Sequence, residues 1–510
     1  MAILGPILKQ LVKQRKNRHD QRKRYTYQDQ IRVLRKLLMK SRNTAFGKAY
    51  CFSDLLASDD FVSAFQRKVP IFEYESLYTS WWYRSLNDEE SITWPGKIRF
   101  YALTSGTSQA SSKKIPITSD MIRAIRRVGL RHSLALTEIG LPPSFYETDV
   151  LMLAGSSKLV REEGHFIGDL SGILTKKLPL WSQKFYKPGR RIGNIRDWGQ
   201  KLEKMVLAAK DWNIGVISGN PAWLQILMEE IINHYQLASI HDIWPNLKLF
   251  LHGGVSIKPY MSRFEKIFGK EVYYLETYLA SEGFLATQSS IRSPMKLVVD
   301  NGVFFEFIEF NNKNFSPDGQ LLENPEVVTL KDVKDNGEYA ILISTCAGAW
   351  RYLIGDTVRF HSVGNFEISI TGRTRHFLSL CGEHLSVENM TEAVARLSKQ
   401  LKIDIHEFTV VGLPHKNLFA HKWYIAADDR VNPGQIKILL DNNLKELNDD
   451  YAVERRHALR EVIVEIVPHE KFYSWLKAMG KEGGQHKFPR VLSQDQYKSW
   501  DRFVQSGTLE

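Results

Sequence analysis

The residues best suited to chemistry open with YALTSGTSQASSKKIP, 101–116, where an apolar run ends in hydroxyl side chains around one glycine and then two lysines. Hydroxyls of Thr104, Ser105, Thr107 and Ser108, with the amides between them, can donate to phosphate oxygens, and Gly106 lets the backbone come close. Lys113 or Lys114 adds mobile positive charge. Taken alone, the stretch fits a phosphate-handling loop or a solvated Ser/Thr turn. The pattern G-x-x-x-x-G-K-[ST] is absent, so the fold that accompanies it is not expected. Other polar residues stand at the ends of apolar runs: His252-Gly253-Gly254, Glu282 in YLASE, Asp356 in LIGD and Lys487 in GGQHKFPR. Each also has a plain local reading: a strand-to-helix turn, a solvated glutamate, an Asx turn before a strand and an exposed loop lysine.

The elements that must position these residues follow from periodicity and punctuation. Residues 26–70 read as helices, with Ile31, Leu34, Leu37 and Leu38 on one face, stopping before Val69-Pro70. Stretches 149–155, 213–219, 248–254 and 271–281 read as strands, and 221–235 and 259–268 as helices opened by prolines. That alternation predicts an α/β sheet. A β-rich segment follows, in which Asn301-Gly302, Asn336-Gly337 and Gly364-Asn365 each suit a tight hairpin turn needing positive φ. After Gly372 come a helix at 386–400, strands at 408–413, 422–428 and 461–467, and a helix at 433–447, which together read as a small α+β domain.

At 510 residues the chain exceeds a single core and predicts two or more domains. With 43% hydrophobic and 25% charged residues it has the composition of a globular protein. No apolar run is long enough to span a bilayer and no signal peptide is evident, so a cytoplasmic location is expected. Cys51, Cys346 and Cys381 lie far apart, which argues against a disulfide framework or a zinc site. The net charge of +12 is spread along the chain and favours polyanionic substrates such as nucleotides; nucleic acid is not expected as a partner. The dense block is 9–24, where eight basic residues face only Asp20, and Leu4, Ile7, Leu8, Leu11 and Val12 upstream recur at helical spacing. A basic amphipathic helix over residues 1–25 is predicted, packed on its own domain or making a weak contact with a surface or partner.

Four segments occur together and in order: TSGTSQASSK at 104–113, TYLASEG at 277–283, WRYLIGD at 350–356 and GRTRHFLSLCGEHLSVENM at 372–390. In this the chain resembles the adenylate-forming enzymes of the acyl-CoA synthetase and luciferase type. More narrowly it resembles the auxin-responsive acyl acid amido synthetases, the plant jasmonate and indoleacetate ligases and their bacterial relatives. The similarity runs from NTAFGKAY at 43–50 to GGQHKFPR near the end.

The resemblance implies ATP with Mg²⁺, a carboxylic acid activated as its adenylate, and transfer of the acyl group to an amino acid amine. It assigns the phosphates to Ser105, Gly106, Thr107, Ser108 and Lys113, the adenine to Gly253, Gly254 and Tyr278, and the neighbourhood of the α-phosphate to Ser281. It assigns Mg²⁺ to Glu282, a hard oxygen donor, and the ribose hydroxyls to Asp356 with support from Arg373. Lys487 would reach in from the small domain as a catalytic residue alongside Lys113, with Lys481 as its rival. The implied division is a large domain over 1–374 and a small mobile domain over 375–510, with a hinge near Arg375. A monomer is expected. Thr104 and Ala110 replace a serine and a glycine of the family loop; alanine tolerates positive φ poorly, so a different loop path is expected. Trp350 and Leu353 replace a tyrosine and an arginine. An acyl-CoA ligase, or a nucleotide- or acyl-binding protein without turnover, are the alternatives. The acyl pocket is expected between 121–136 and the turns near Val255 and Leu279, where Arg123, Arg131 and His132 are poor choices as ligands.

Overall fold

The computed structural model describes residues 4–20, 25–104, 113–153, 158–178, 182–195, 197–219, 221–254, 257–316, 319–374, 378, 383, 385–415, 418–427, 431–457, 459–480 and 488–507. Among them, the strands form sheets of twelve, four and three. The large sheet has two halves. Strands Tyr186–Lys187, Asp149–Met152, Ile214–Gly219, Leu249–Gly253 and Tyr273–Ala280 run parallel in that spatial order. Their valine-, isoleucine- and leucine-rich runs suit strands covered on both faces. The sheet then turns antiparallel through Gly283–Thr287, Met295–Leu297, Glu367–Arg373, Tyr352–Ser362, Glu338–Thr345, Val303–Glu309 and Val327–Thr329. Gly283 pairs with Ala280, so Ser281 and Glu282 form a two-residue hairpin loop where the parallel half meets the antiparallel half.

The four-stranded sheet positions the start of the hydroxyl-rich loop. Phe100–Thr104 pairs antiparallel with Lys113–Ile117, placing Thr104 opposite Lys113, and parallel with His165–Asp169, placing Leu103 opposite Asp169. Pro116 is accommodated because Lys113–Ile117 is an edge strand. Ser105 to Ser112, with Ala110 and the proposed phosphate ligands, lie outside the described residues.

The predicted α/β alternation is present, with strands shorter by a residue or more than expected and a helix Pro221–Tyr235 as expected. The stretch 259–268 divides into a 3₁₀ turn Lys258–Tyr260 and a helix Met261–Ile267. Two of the three expected hairpins are not hairpins. Gly302 has φ +74, but the strand before it pairs elsewhere than with the strand after it; Asn336 has φ +62, yet Val327–Thr329 pairs with Val303–Glu309. At 363–365 a hairpin does form, with the left-handed residue at Phe366. Asn-Gly reports a backbone needing positive φ and leaves the pairing partner open.

Helices Tyr27–Ser41, Ala45–Ala49, Phe52–Ala57 and Phe61–Lys68 cover the antiparallel half. Leu34, Leu37 and Leu38 are buried as their spacing predicts, while Ile31 packs from the edge of the core. Buried Gln30 was not foreseen: its side chain donates to the Val299 and Val303 carbonyls at 2.7 and 3.0 Å and accepts from Phe305 N–H at 2.7 Å, pinning the helix to the sheet. The C-terminal unit sets Phe408–His415 antiparallel to Leu418–Ile425, which pairs parallel with Leu459–Ile466. Helices Val387–Leu401 and Pro433–Leu447 pack on this sheet.

Candidate active site

The carboxyl ends of the parallel strands, where open α/β sheets bind ligands, bring Tyr278, Glu282, Asp356 and Arg373 together. Asp356 lies inside strand Tyr352–Ser362, opposite Arg373 in register, which rules out an Asx turn there. Arg373 Nε stands 2.9 Å from Asp356 Oδ1, and its Nη2 donates to the Ile354 carbonyl at 3.0 Å. The Tyr278 phenol donates to Asp356 Oδ2 at 2.5 Å. Gly355, at φ +85, supplies the left-handed residue just before the aspartate, where the strand's pairing is irregular. Burial and the adjoining Asp356 carboxylate push the Tyr278 phenol well above its ordinary value, so it remains a donor.

Glu282 is buried, and its carboxylate is among the causes that, after burial, hold the Tyr352 phenol well above its ordinary value. Its carboxyl is raised above the ordinary range, chiefly by burial and further by Asp356, while Arg373 and Lys113 oppose the rise. Lys113 therefore shares the field of this cluster. Its ammonium sits 5.2 Å from the Tyr74 ring centroid, and the Tyr74 hydroxyl accepts Lys114 N–H at 2.8 Å. Tyr74, pushed up to about 12 by burial, thus holds the first residues of strand Lys113–Ile117 from two sides. Ser281 is half-buried beside Glu282.

At the next strand end, Gly253 cannot carry a side chain: a Cβ there would stand 2.4 Å from the Thr277 carbonyl oxygen. Gly254 has φ +82. His252 is buried between Phe250 and Tyr274, and burial lowers it to about 4, so it is neutral; its Nδ1 has no hydrogen-bond partner among the described residues. The C-terminal unit docks beside these strand ends. Lys258 Nζ is 3.0 Å from Glu392, Ser262 donates to Asp404 at 2.6 Å, and the Trp223 and Tyr473 rings lie 5.4 Å apart.

Of the sequence-predicted residues, the structure brings together Tyr278, Glu282, Asp356, Arg373 and Lys113. Lys487, Lys481 and Arg375 lie outside the described residues, as does Val255. Lys114 pairs with Glu162 at 2.8 Å. Arg123 pairs with Asp120, Arg131 grips Asp300 at 2.6 and 2.8 Å, and His132 Nε2 sits 2.6 Å from Thr287 Oγ1, so all three have structural partners. Trp350 is fully buried among Phe46, Phe52, Phe65 and Trp94, with its indole donating to the Thr93 carbonyl at 3.1 Å. NTAFGKAY is part of that core: Phe46 stacks on Trp350, and Thr44 accepts Gly47 N–H. Sequence reading missed Tyr352 and Tyr74.

Comparison with known proteins places the fold. The chain superposes on the GH3.15 acyl acid amido synthetase with a TM-score of 0.76 at 16% identity, covering 94% of this chain and 93% of that one. It also superposes on a 2-hydroxyisobutyryl-CoA ligase in the postadenylation state with a TM-score of 0.57 at 12% identity, covering 94% and 91%. By architecture the chain thus shares its fold with these two enzymes. Models of the GH3 family N-terminal domain match residues 15–188 and 156–272, the central domain 296–373 and the C-terminal domain 388–496. The chain belongs to the GH3 family. It is 27% identical over 279 residues to jasmonoyl–L-amino acid synthetase JAR4 of Nicotiana attenuata, covering 50% of this chain and 45% of that protein. Against indole-3-acetic acid-amido synthetase GH3.4 of Arabidopsis thaliana it is 23% identical over 437 residues, covering 73% and 71%. The chain spans less than half the length of the curated jasmonoyl synthetases it matches, 45%, 30% and 32%.

Proposed function

We propose that this chain is an ATP-dependent acyl acid amido synthetase, which joins a carboxylic acid to an amino acid through an acyl adenylate. The observation that carries the reading is the Tyr278–Asp356–Arg373 cluster beside buried Glu282, in a chain of the GH3 family. In the first step a substrate carboxylate oxygen attacks the α-phosphorus of ATP and pyrophosphate leaves. In the second the amine attacks the acyl carbon, AMP leaves with the bond electrons and the amine proton passes to solvent.

The residues present fit ATP and Mg²⁺. Asp356 offers two carboxylate oxygens to the ribose hydroxyls, held in place by Arg373. Tyr278 and the close-lying backbone at Gly253-Gly254 form the adenine side, with His252 Nδ1, unpartnered among the described residues, at the same strand end. Glu282 would hold Mg²⁺, which prefers one or two carboxylates plus phosphate oxygens; the ion supplies charge neutralisation around the transferring phosphorus. Lys113 adds a cation at the open end of its strand, and the loop residues Ser105, Gly106, Thr107 and Ser108 take the phosphates, with Ser281 near the α-phosphate. Donors and cations fixed in advance lower the barrier because they need no reorganisation as charge develops. We assign Lys487 the bridging cation brought in by the C-terminal unit and place the domain division at 374/375, with the hinge near Arg375.

The test is exchange of labelled pyrophosphate into ATP, dependent on a carboxylic acid and on Mg²⁺. Exchange that falls at least a hundredfold in Asp356→Ala and Lys113→Ala supports the reading. No exchange from the wild-type chain across a broad panel of acids rejects it.

A further inference from the structure

Among the described residues, the N-terminal helix Leu4–Asp20 is fastened along one side. Gly5 N–H donates to Glu147 Oε1 at 2.6 Å, Lys9 donates to the Leu141 carbonyl at 2.7 Å, and Lys16 stands 3.7 Å from Glu138. Glycine is what allows this approach, since a Cβ at Gly5 would lie 2.3 Å from the Pro143 carbonyl oxygen. Positions 5, 9, 12 and 16 recur every three or four residues and so share the docked face.

The opposite side is different in kind. Leu4, Ile7 and Leu11 are 41%, 49% and 54% exposed, and exposed Arg15 and Arg18 continue the same spacing. Residues 4, 7, 11, 15 and 18 thus form one stripe, apolar over its first turns and cationic over its last. No acidic residue occurs between 4 and 19.

We propose that this stripe docks the protein on an anionic lipid bilayer, its leucines and isoleucine entering the boundary between headgroups and acyl chains and its arginines pairing with lipid phosphates. Charge complementarity selects an anionic occupant, and the apolar turns select one with a hydrocarbon layer beneath the charge. Three apolar side chains fall far short of the roughly 800 Å² each partner gives to a standard protein interface. Nucleic acid would engage the arginines and leave the apolar turns in water. The fastening at Gly5, Lys9 and Lys16 holds the helix flat, so docking needs no unfolding.

The full-length protein should co-sediment with vesicles of phosphatidylcholine and phosphatidylglycerol, not with phosphatidylcholine alone, and raised salt should weaken the binding. Arg15→Gln with Arg18→Gln should cut the partition coefficient about tenfold or more, because each basic residue near an anionic surface is worth roughly a fivefold factor. Leu4→Gln, Ile7→Gln and Leu11→Gln combined should cut it as far. Both variants should unfold at the wild-type temperature, since the altered side chains are exposed. The proposal is overturned by any of three results: no sedimentation at low salt, equal binding to neutral vesicles, or unaltered binding in either variant. It is overturned equally if the helix captures an acidic protein or a nucleic acid and leaves anionic vesicles in solution.

Discussion

Tyr278 donates its phenol to Asp356 at 2.5 Å, joining the last parallel strand of the large sheet to an antiparallel strand four places away. The bond aims the second carboxylate oxygen, which Arg373 holds at 2.9 Å. Tyr278→Phe keeps the ring and deletes the donor. Losing a hydrogen bond to a charged group costs about 1.5–3 kcal/mol, so KM for ATP should rise about tenfold or more while the acid's KM changes little. Initial rates of pyrophosphate release check this; equal effects on both substrates would contradict a nucleotide-side role for Asp356.

Glu282 gives a prediction with a pH signature. Burial, the largest cause, raises its carboxyl above the unfolded value. The folded chain then holds the proton more tightly than the unfolded one. Stability is therefore lost as pH rises from the ordinary glutamate range through the raised value. Glu282→Gln removes that loss: it should unfold at a higher temperature than wild type at neutral pH, with the gap narrowing as pH falls below the ordinary range. Activity should drop at least a hundredfold, and its dependence on Mg²⁺ concentration should flatten. A variant less stable at neutral pH contradicts the sign.

Tyr74 separates two contributions to the placing of Lys113. Tyr74→Phe removes the acceptor for Lys114 N–H at 2.8 Å and keeps the ring under the ammonium; Tyr74→Leu removes both. A cation–π contact contributes about 0.5–2 kcal/mol, so the leucine variant should lose roughly three- to tenfold more in kcat than the phenylalanine one. Equal losses, measured with saturating ATP, would leave the ring without a part in positioning Lys113.

Much of this site was legible along the chain. Glycines closing Val/Ile/Leu runs marked the strand ends, and YLASE, LIGD and GRTR marked the carboxylates and the arginine. Tyr352 and Tyr74 were not legible, because a tyrosine inside an apolar run reads as core until its partner is known. Nor was the pairing of Phe100–Thr104 with His165–Asp169, which no local turn specifies. Trp350 was legible only as a replacement of the family's tyrosine. It packs in the aromatic core just before the strand that carries Asp356 begins at Tyr352.

That placement makes Trp350 a stability residue. Trp350→Ala should cost about 3–5 kcal/mol through the cavity it leaves among Phe46, Phe52 and Phe65. Trp350→Phe should cost less and keep KM for ATP within about twofold, the change a site without direct contact allows. Chemical denaturation with steady-state kinetics distinguishes this from a role at the ribose.

Amide formation is the central claim, and mass spectrometry of the products measures it directly. The wild-type chain is given ATP, Mg²⁺ and a panel of carboxylic acids, with amino acids and coenzyme A offered together. An acyl–amino acid conjugate with stoichiometric AMP, absent from Asp356→Ala, is the predicted result. An acyl thioester with no amide, or ATP turned over to ADP, would contradict the account.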